Sequence, residues 1–347
     1  MAELAPELVA CLPGDGIGPE VLQQAVRVLE RLPLDVETVS LPFGGGAIDE
    51  FGDPLPAETL AACRSARAVL LGAVGGPKWD GGSVRPEAGL LGLRKELDVY
   101  ANLRPAVQGD IDLVIVRELV GGLYFGARGV RDDGTVFDTL EYHPAQIERV
   151  VRRGFELAAS RSGSLVSVDK ANVLDTSRLW RRVVEEVAPE YPNVRLRHAL
   201  VDSFAMELVS SADRIDVAVT ENMFGDILSD VAAAVTGGLG LAASASLGDT
   251  GPGIFEPVHG SAPDIAGTGQ ANPAAMLRSL ALMLEHAFGR PDLAAAVAAA
   301  VEDALVSHPT PDAGGRATTG EVGDAVLTSL DKRLASLEET WTPAALQ

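Results

Sequence analysis

The sequence predicts an α/β fold built on a mainly parallel sheet. Short apolar runs of strand length recur along the chain, and amphipathic segments with helical spacing stand between them. The 347 residues, 47% hydrophobic and 22% charged, suffice for two ordinary domains with filled cores.

Residues 8–12 read as a short buried strand, and Gly14, Gly16 and Gly18 follow as a flexible turn that ends at Pro19. A helix comes next, with Leu22, Ala25, Val26 and Leu29 on one face. Residues 68–71 form a second apolar strand, closed by the glycine-rich loop 72–77, and residues 112–116 a third. Pro144 opens a helix over 144–160, where Ile147, Val150, Val151, Phe155 and Ala158 share a face. Residues 165–168 and 215–220 are further strands, each followed by a loop and a helix. Two stretches break this rhythm. Residues 127–143 are polar, centred on Asp132-Asp133-Gly134, and read as a protruding hairpin. Residues 248–273 hold ten Gly or Pro in 26 positions, and so long an irregular stretch generally serves a site. A pair of Ala-rich helices is expected to close the chain.

The formal net charge is −21, from 28 basic and 49 acidic side chains. That sign repels phosphate backbones and argues against nucleic acid as a partner. It leaves room for a local anion site built from a few cations. Cys11 and Cys63 lie beside apolar runs and are expected as buried free thiols. No Cys/His spacing suggests zinc. The N-terminus lacks a signal-peptide pattern and no apolar run approaches a membrane span, so a cytoplasmic protein without a membrane partner is expected.

Four groups of residues carry chemistry. Phe224-Gly-Asp226-Ile-Leu-Ser-Asp230 follows the apolar strand 215–220 and opens a helix. Asp226 and Asp230, four apart, project from one face, where two carboxylates repel each other unless a cation sits between them. Such hard oxygen donors suit Mg²⁺ or Mn²⁺; the bland reading is Asp226 as an N-cap and Asp230 as a solvated acid. Lys170, in Val168-Asp169-Lys170, follows a strand directly and so lies where α/β sites form. A partly desolvated lysine there can act as a base, although a surface lysine is the commoner outcome. Arg94, Arg104 and Arg117 stand beside strand-like segments and can clamp a carboxylate, against the bland reading of three surface ion pairs. Tyr124 follows in a glycine-flanked turn, as a proton donor or a packing residue. The last group runs from Glu256 to Gly267 and on to Asn272. Its glycines allow close approach of a ligand, and Asp264 can accept the hydroxyls of a ribose while repelling a 2′-phosphate, which favours NAD over NADP. Gly14-Asp-Gly-Ile-Gly18 lacks the Gly-x-Gly-x-x-Gly spacing and is not read as a Rossmann fingerprint.

Together these motifs resemble the β-decarboxylating dehydrogenases that act on isopropylmalate, isocitrate, homoisocitrate or tartrate. The resemblance runs from Leu12-Pro-Gly-Asp-Gly-Ile-Gly-Pro-Glu20 to Asp312-Ala-Gly-Gly-Arg-Ala-Thr318. The segments 224–230 and 259–267 are specific to the superfamily, while 74–80 and 118–126 point to its isopropylmalate branch. The resemblance implies a two-lobed, non-Rossmann fold with a mainly parallel mixed sheet. One lobe combines residues 1–99 and 237–347 and carries the NAD loop. The other, residues 100–236, carries the metal site, the dimer interface and an arm at about 127–143. It further implies a homodimer with shared active sites. Asp226 and Asp230 would bind the metal with Asp202 from the partner. Arg94, Arg104 and Arg117 would hold the malate part of the substrate. Tyr124 and Lys170 would be acid and base, Lys170 also reaching across the dimer. His259, Gly260, Ser261, Ala262, Pro263, Asp264 and Asn272 would hold NAD.

The reaction so implied is oxidative decarboxylation of (2R,3S)-3-isopropylmalate to 4-methyl-2-oxopentanoate with reduction of NAD, in leucine biosynthesis. Leu90, Leu91 and Val173 suit a branched alkyl group, whereas an isocitrate enzyme needs polar groups for a third carboxylate. Glu87 would oppose such a carboxylate and suits the cationic nicotinamide. Homoisocitrate, tartrate or another 3-alkylmalate is the alternative substrate. A catalytically silent relative or an acidic binding module would not retain all of these reactive side chains. Two departures from the family stand out: a short stretch after Arg104-Pro105 through Gly109, and Glu221 where small residues are common.

Overall fold

The computed structural model describes residues 6–341, with side chains to residue 337. The chain divides into two compact units, one comprising 1–93, 240–245 and 251–347, the other 94–239 and 246–250. Each is an α/β structure on mainly parallel strands.

In the first unit the strands Val36–Ser40, Glu7–Gly14, Ala68–Ala73, Gly253–Pro257 and Ala243–Leu247 lie side by side in that order. Ala68–Ala73 is buried along its whole length, as befits a parallel strand covered on both faces. Helix Gly18–Arg31 packs Val21, Leu22, Ala25, Val28 and Leu29 inward, the face expected from the sequence but for Val28 in place of Val26. The stretch 248–273, expected to be wholly irregular, contains the strand Gly253–Pro257, because Ile254 and Phe255 are fully buried. Among the described residues three helices follow it rather than two: Ala274–His286, Pro291–Ser307 and Thr319–Trp341. The third is less Ala-rich, but Val322, Val326 and Leu330, four apart, give it a buried stripe.

In the second unit the order is Ala101–Gln108, Ile111–Glu118, Val217–Thr220, Ser164–Asp169, Arg195–Leu200. The first two are antiparallel, with Gln108 opposite Ile111. The stretch that the family resemblance marks as short is thus a two-residue hairpin turn at Gly109-Asp110, and Gly109 has the φ of +57° that such turns require. The remaining pairs are parallel. Helices Pro144–Ser160 and Asn222–Val235 pack against these strands. The core on the Asn222–Val235 side gathers Leu113, Ile115, Val166, Val168, Phe204 and Leu228. Residues 127–143 form the expected hairpin, Arg128–Val130 paired with Val136–Asp138 around Gly134 at φ +84°. Both cysteines are buried and free. Among the described residues no helix is long and apolar enough to cross a membrane.

Candidate active site

Three neighbouring parallel strands of the second unit end at the same edge of the sheet. Thr220 is in register with Arg117 on one side and Val168 on the other. The residues just beyond, Lys170 and Asn222, therefore emerge together with Arg117 at the carboxyl ends, where α/β proteins place their sites. The antiparallel partner adds to this edge. Asn102 lies opposite Arg117, and Arg104, two residues on, shares its face of the sheet.

Helix Asn222–Val235 lies on that face, and one stripe of it carries Asn222, Asp226, Ser229 and Asp230. Arg117, fully buried, donates from Nε and Nη2 to Asn222 Oδ1 at 3.0 and 2.8 Å and from Nη1 to Asp226 Oδ1. Asn222 donates in turn to the carbonyl of Gly121. Arg104 donates from Nε to Asn102 Oδ1 at 2.7 Å and from Nη1 to Ser229 Oγ at 2.6 Å. It stands 3.4 Å from Asp226 and 3.8 Å from Asp230. Tyr124, in the turn Gly122–Tyr124, donates its hydroxyl to Asp226 Oδ2 at 2.9 Å. The Arg117 guanidinium lies 5.7 Å from the Tyr124 ring. Arg94, on helix Pro86–Glu96 and buried, adds a third positive charge that both Arg117 and Asp226 feel.

These neighbours set the charge states. Burial, then Arg104 and Arg94, pull the Arg117 guanidinium down to about 9, still charged at neutral pH. Burial works to raise Asp226, but Arg117 and Arg104 outweigh it and hold this carboxyl below the usual range. Asp230 is raised, by burial first and also by Asp226. Burial and the Asp226 carboxylate push Tyr124 up to about 12, so it keeps its proton at neutral pH. Asp226 is therefore an ionised hard-oxygen donor, already held by Arg117, Arg104 and Tyr124, with the carboxylate of Asp230 one turn away. That donor set fits a divalent cation.

Lys170 and Asp202 form a separate pair. Their strands are parallel neighbours, with Asp169 level with Leu200, so the loop that carries Lys170 meets the first turn of helix Val201–Ser211, which carries Asp202. Lys170 Nζ lies 2.5 Å from Asp202 Oδ1, and that hydrogen bond lowers the Asp202 pKa. Among the described residues no three His, Cys, Asp or Glu side chains gather within one chain as a metal site.

The N-terminus of helix Asn222–Val235 differs from the sequence reading. The helix starts four residues before Asp226, and its N-cap is Glu221, whose carboxylate accepts from the amides of Met223 and Phe224 at 3.2 and 2.7 Å. Capping by Asp226 is thus excluded, and the buried Glu221 is turned onto the helix end. Behind it, Tyr142 Oη accepts from the Asn222 amide and donates to the buried Glu118 carboxylate at 3.0 Å. Asn222, Ser229 and Asn102 were missed as site residues. Their signal was positional: one helical stripe with the two aspartates, and alternate strand positions beside Arg104.

In the first unit, Glu87, Leu90 and Leu91 sit on helix Pro86–Glu96 at one-turn spacing, Glu87 exposed and the leucines half-buried. Val173, in the second unit, is exposed on the loop after Lys170. The loop from His259 to Asp264 ends in the turn Pro263–Ile265, entered through Ala262 at a left-handed φ of +39°. Such strain in a non-glycine residue collects at functional loops. Asp264 and Gly260 are exposed, Pro263 exposed and Ser261 buried. Burial lowers the pKa of His259, its Nδ1 contacts the Gly260 carbonyl, and its buried Nε2 has no hydrogen-bond partner among the described residues. Such an orphaned polar atom fits a bound ligand. Asn272 donates to Asp312 at 3.1 Å and accepts from the Ala274 amide.

The sequence profile of the isocitrate/isopropylmalate dehydrogenases matches residues 8–326. The chain belongs to this family. It is therefore a β-decarboxylating dehydrogenase by descent, and its relatives include two named 3-isopropylmalate dehydrogenase. That of Bacillus subtilis is 53% identical over 86% of this chain and 89% of its own length. That of Bacillus cereus is 50% identical over 94% and 97%. Among solved structures, the isocitrate dehydrogenase of Methylococcus capsulatus superposes with a TM-score of 0.87 at 37% identity, covering 93% of this chain and 99% of its own. A β-decarboxylating dehydrogenase of Thermococcus kodakarensis, in its apo form, does so with 0.82 at 40% identity, covering 97% and 99%.

Proposed function

We propose that the chain oxidises and decarboxylates (2R,3S)-3-isopropylmalate to 4-methyl-2-oxopentanoate, in leucine biosynthesis, as a cytoplasmic homodimer with shared sites. One observation carries the reading: Arg104, Arg117 and Tyr124 converge on Asp226, at the carboxyl ends of the strands, in a chain 50–53% identical to two enzymes named for this substrate.

Arg94, Arg104 and Arg117 hold the malate carboxylates. Three guanidiniums face two aspartates, so the cluster favours an anionic substrate even though the chain carries −21. Lys170, oriented by Asp202, removes the proton of the 2-hydroxyl. Tyr124, protonated at neutral pH, returns a proton to the carbon from which CO₂ departs. Mg²⁺ or Mn²⁺ on Asp226 and Asp230, with Asp202 of the partner subunit, would supply Lewis acidity at the substrate oxygens, and NAD on the His259–Asp264 loop and Asn272 the hydride acceptor. Lys170 and Asp202 meet within one chain, apart from the other aspartates, which suits delivery of both by the second copy. Exposed Met206, Val209 and Ile227, on helices Val201–Ser211 and Asn222–Val235, offer it an apolar surface. Leu90, Leu91 and Val173 are assigned to the branched alkyl group and Glu87 to the nicotinamide.

The test is a panel of 3-isopropylmalate, isocitrate, homoisocitrate and tartrate, each with NAD and NADP, with Mg²⁺ or with a chelator. Isopropylmalate with NAD and metal should give the highest kcat/KM. Preference for a tricarboxylate or tartrate, or full activity in chelator, rejects the reading.

A further inference from the structure

The Gly14–Gly18 turn has no role in the scheme above, yet it is tied to the segments at 45–46, 73–75 and 261. Gly16 packs its backbone against Ser261: a Cβ there would stand 2.0 Å from the Ser261 carbonyl oxygen, which also accepts from the Ile17 amide at 2.8 Å. The space beside Gly16 is thus taken by protein backbone. Asp15, buried, reaches the other way. Its Oδ2 accepts from the amides of Gly45 at 2.9 Å and Gly75 at 2.8 Å, and its Oδ1 from that of Gly46 at 3.1 Å. Gly75, at φ +101°, lies against Glu87: a Cβ on it would stand 2.5 Å from Glu87 Oε1. A single turn thus holds Ser261 of the adenosine loop and, through one carboxylate, the loop on which Glu87 rests.

We propose that Asp15 is a positioning residue that sets the two ends of the NAD site in register. The inference rests on the assignment of Glu87 to the nicotinamide and of the His259–Asp264 loop to the adenosine. A buried carboxylate that accepts three amides has no equivalent among neutral side chains. Asp15→Asn turns one acceptor oxygen into a donor facing a backbone N–H, so at least one amide is orphaned and the Gly75 loop is freed. A ligand that spans both ends must then order that loop as it binds, while one that occupies only the adenosine end need not.

Calorimetry with NAD and with 5′-AMP, on wild type and Asp15→Asn, decides it. NAD should weaken about tenfold and AMP less than about threefold, with KM for isopropylmalate little changed. A loss for NAD that fails to exceed the loss for AMP by about threefold overturns the proposal. Should Asp15→Asn not fold, Gly75→Ala is judged by the same ratio, since a side chain at φ +101° strains the backbone whose amide Asp15 holds and leaves Ser261 untouched. Wild type that fails to bind NAD refutes the functional reading itself; wild type that binds and a variant that shows no selective loss refutes only the role of Asp15.

Discussion

Arg117 shapes its surroundings down to the absence of a methyl group. A Cβ on Gly225 would stand 2.6 Å from Arg117 Cγ and 2.7 Å from its Cβ, so the helix can approach the strand this closely only with glycine there. The backbone of Gly225 is not left-handed, and alanine is intrinsically the better helix former by about 1 kcal/mol. Propensity and packing therefore pull in opposite directions, and packing should win, because both atoms it meets belong to the stem of a buried side chain. Gly225→Ala is expected to destabilise by about 1–3 kcal/mol in urea unfolding, as overpacked cores do. It should also lower kcat/KM by a factor of 10² or so, because the guanidinium is pushed off Asn222 and Asp226. A variant more stable than wild type with unchanged kinetics would refute this account. The sequence alone brought Arg117 and Asp226 under suspicion for their chemistry. The glycine between Phe224 and Asp226 carried no signal of its own, since the atom it makes room for is 108 positions away.

Helix Asn222–Val235 is mounted at its N-terminus by acids, and this mounting links the element to pH. Glu221 caps it, the Tyr142 hydroxyl accepts its first amide, and that hydroxyl has one proton for two neighbouring carboxylates, Glu118 at 3.0 Å and Glu221 at 3.4 Å. Burial dominates at Glu118 and lifts it from 4.5 to about 7, in spite of the hydrogen bonds it accepts from Val120, Tyr142 and Gly121. Because the folded value exceeds the unfolded one, the stabilisation is complete below pH 4.5 and is lost as pH rises to about 7. At ~1.4 kcal/mol per tenfold change, that span carries on the order of 3 kcal/mol. His198 and His259, lowered by burial, give slopes of the opposite sign near neutrality. The difference between wild type and Glu118→Gln isolates the carboxyl. From about pH 5 to about pH 8 the wild type should lose on the order of 2–3 kcal/mol more than the variant, by urea unfolding at each pH; parallel curves would rule this out. Elements were legible wherever a strong apolar period announced them: helix Pro144–Ser160 begins and ends at its expected residues. Val36–Ser40 and Arg195–Leu200, the outermost strands in the two orders, escaped notice because no apolar run marks them. The start of Asn222–Val235 escaped because an acid that caps and an acid that binds metal look alike in a string of letters.

At the scale of the molecule, the proposed chemistry asks for more than one chain provides. On the proposed reading, Asp226 with Tyr124 and three arginines would make one half of a site, and Lys170 with Asp202 the other. If the two halves come from different copies, each homodimer has two sites, and each site takes Asp226 from one chain and Lys170 from the other. Asp226→Asn and Lys170→Ala should then each be inactive alone. Co-expressed with different tags, they form mixed dimers in which one site has both lesions and the other has neither. Random pairing makes half of the dimers mixed and half of their sites intact, so about a quarter of the wild-type activity should return, with wild-type KM. Purification through both tags in turn raises that share to about a half. A site complete within one chain predicts no recovery at any mixing ratio, since every site would then carry one of the two substitutions. The experiment reads the sharing of the site directly from turnover, and it requires only that the two variants pair with each other.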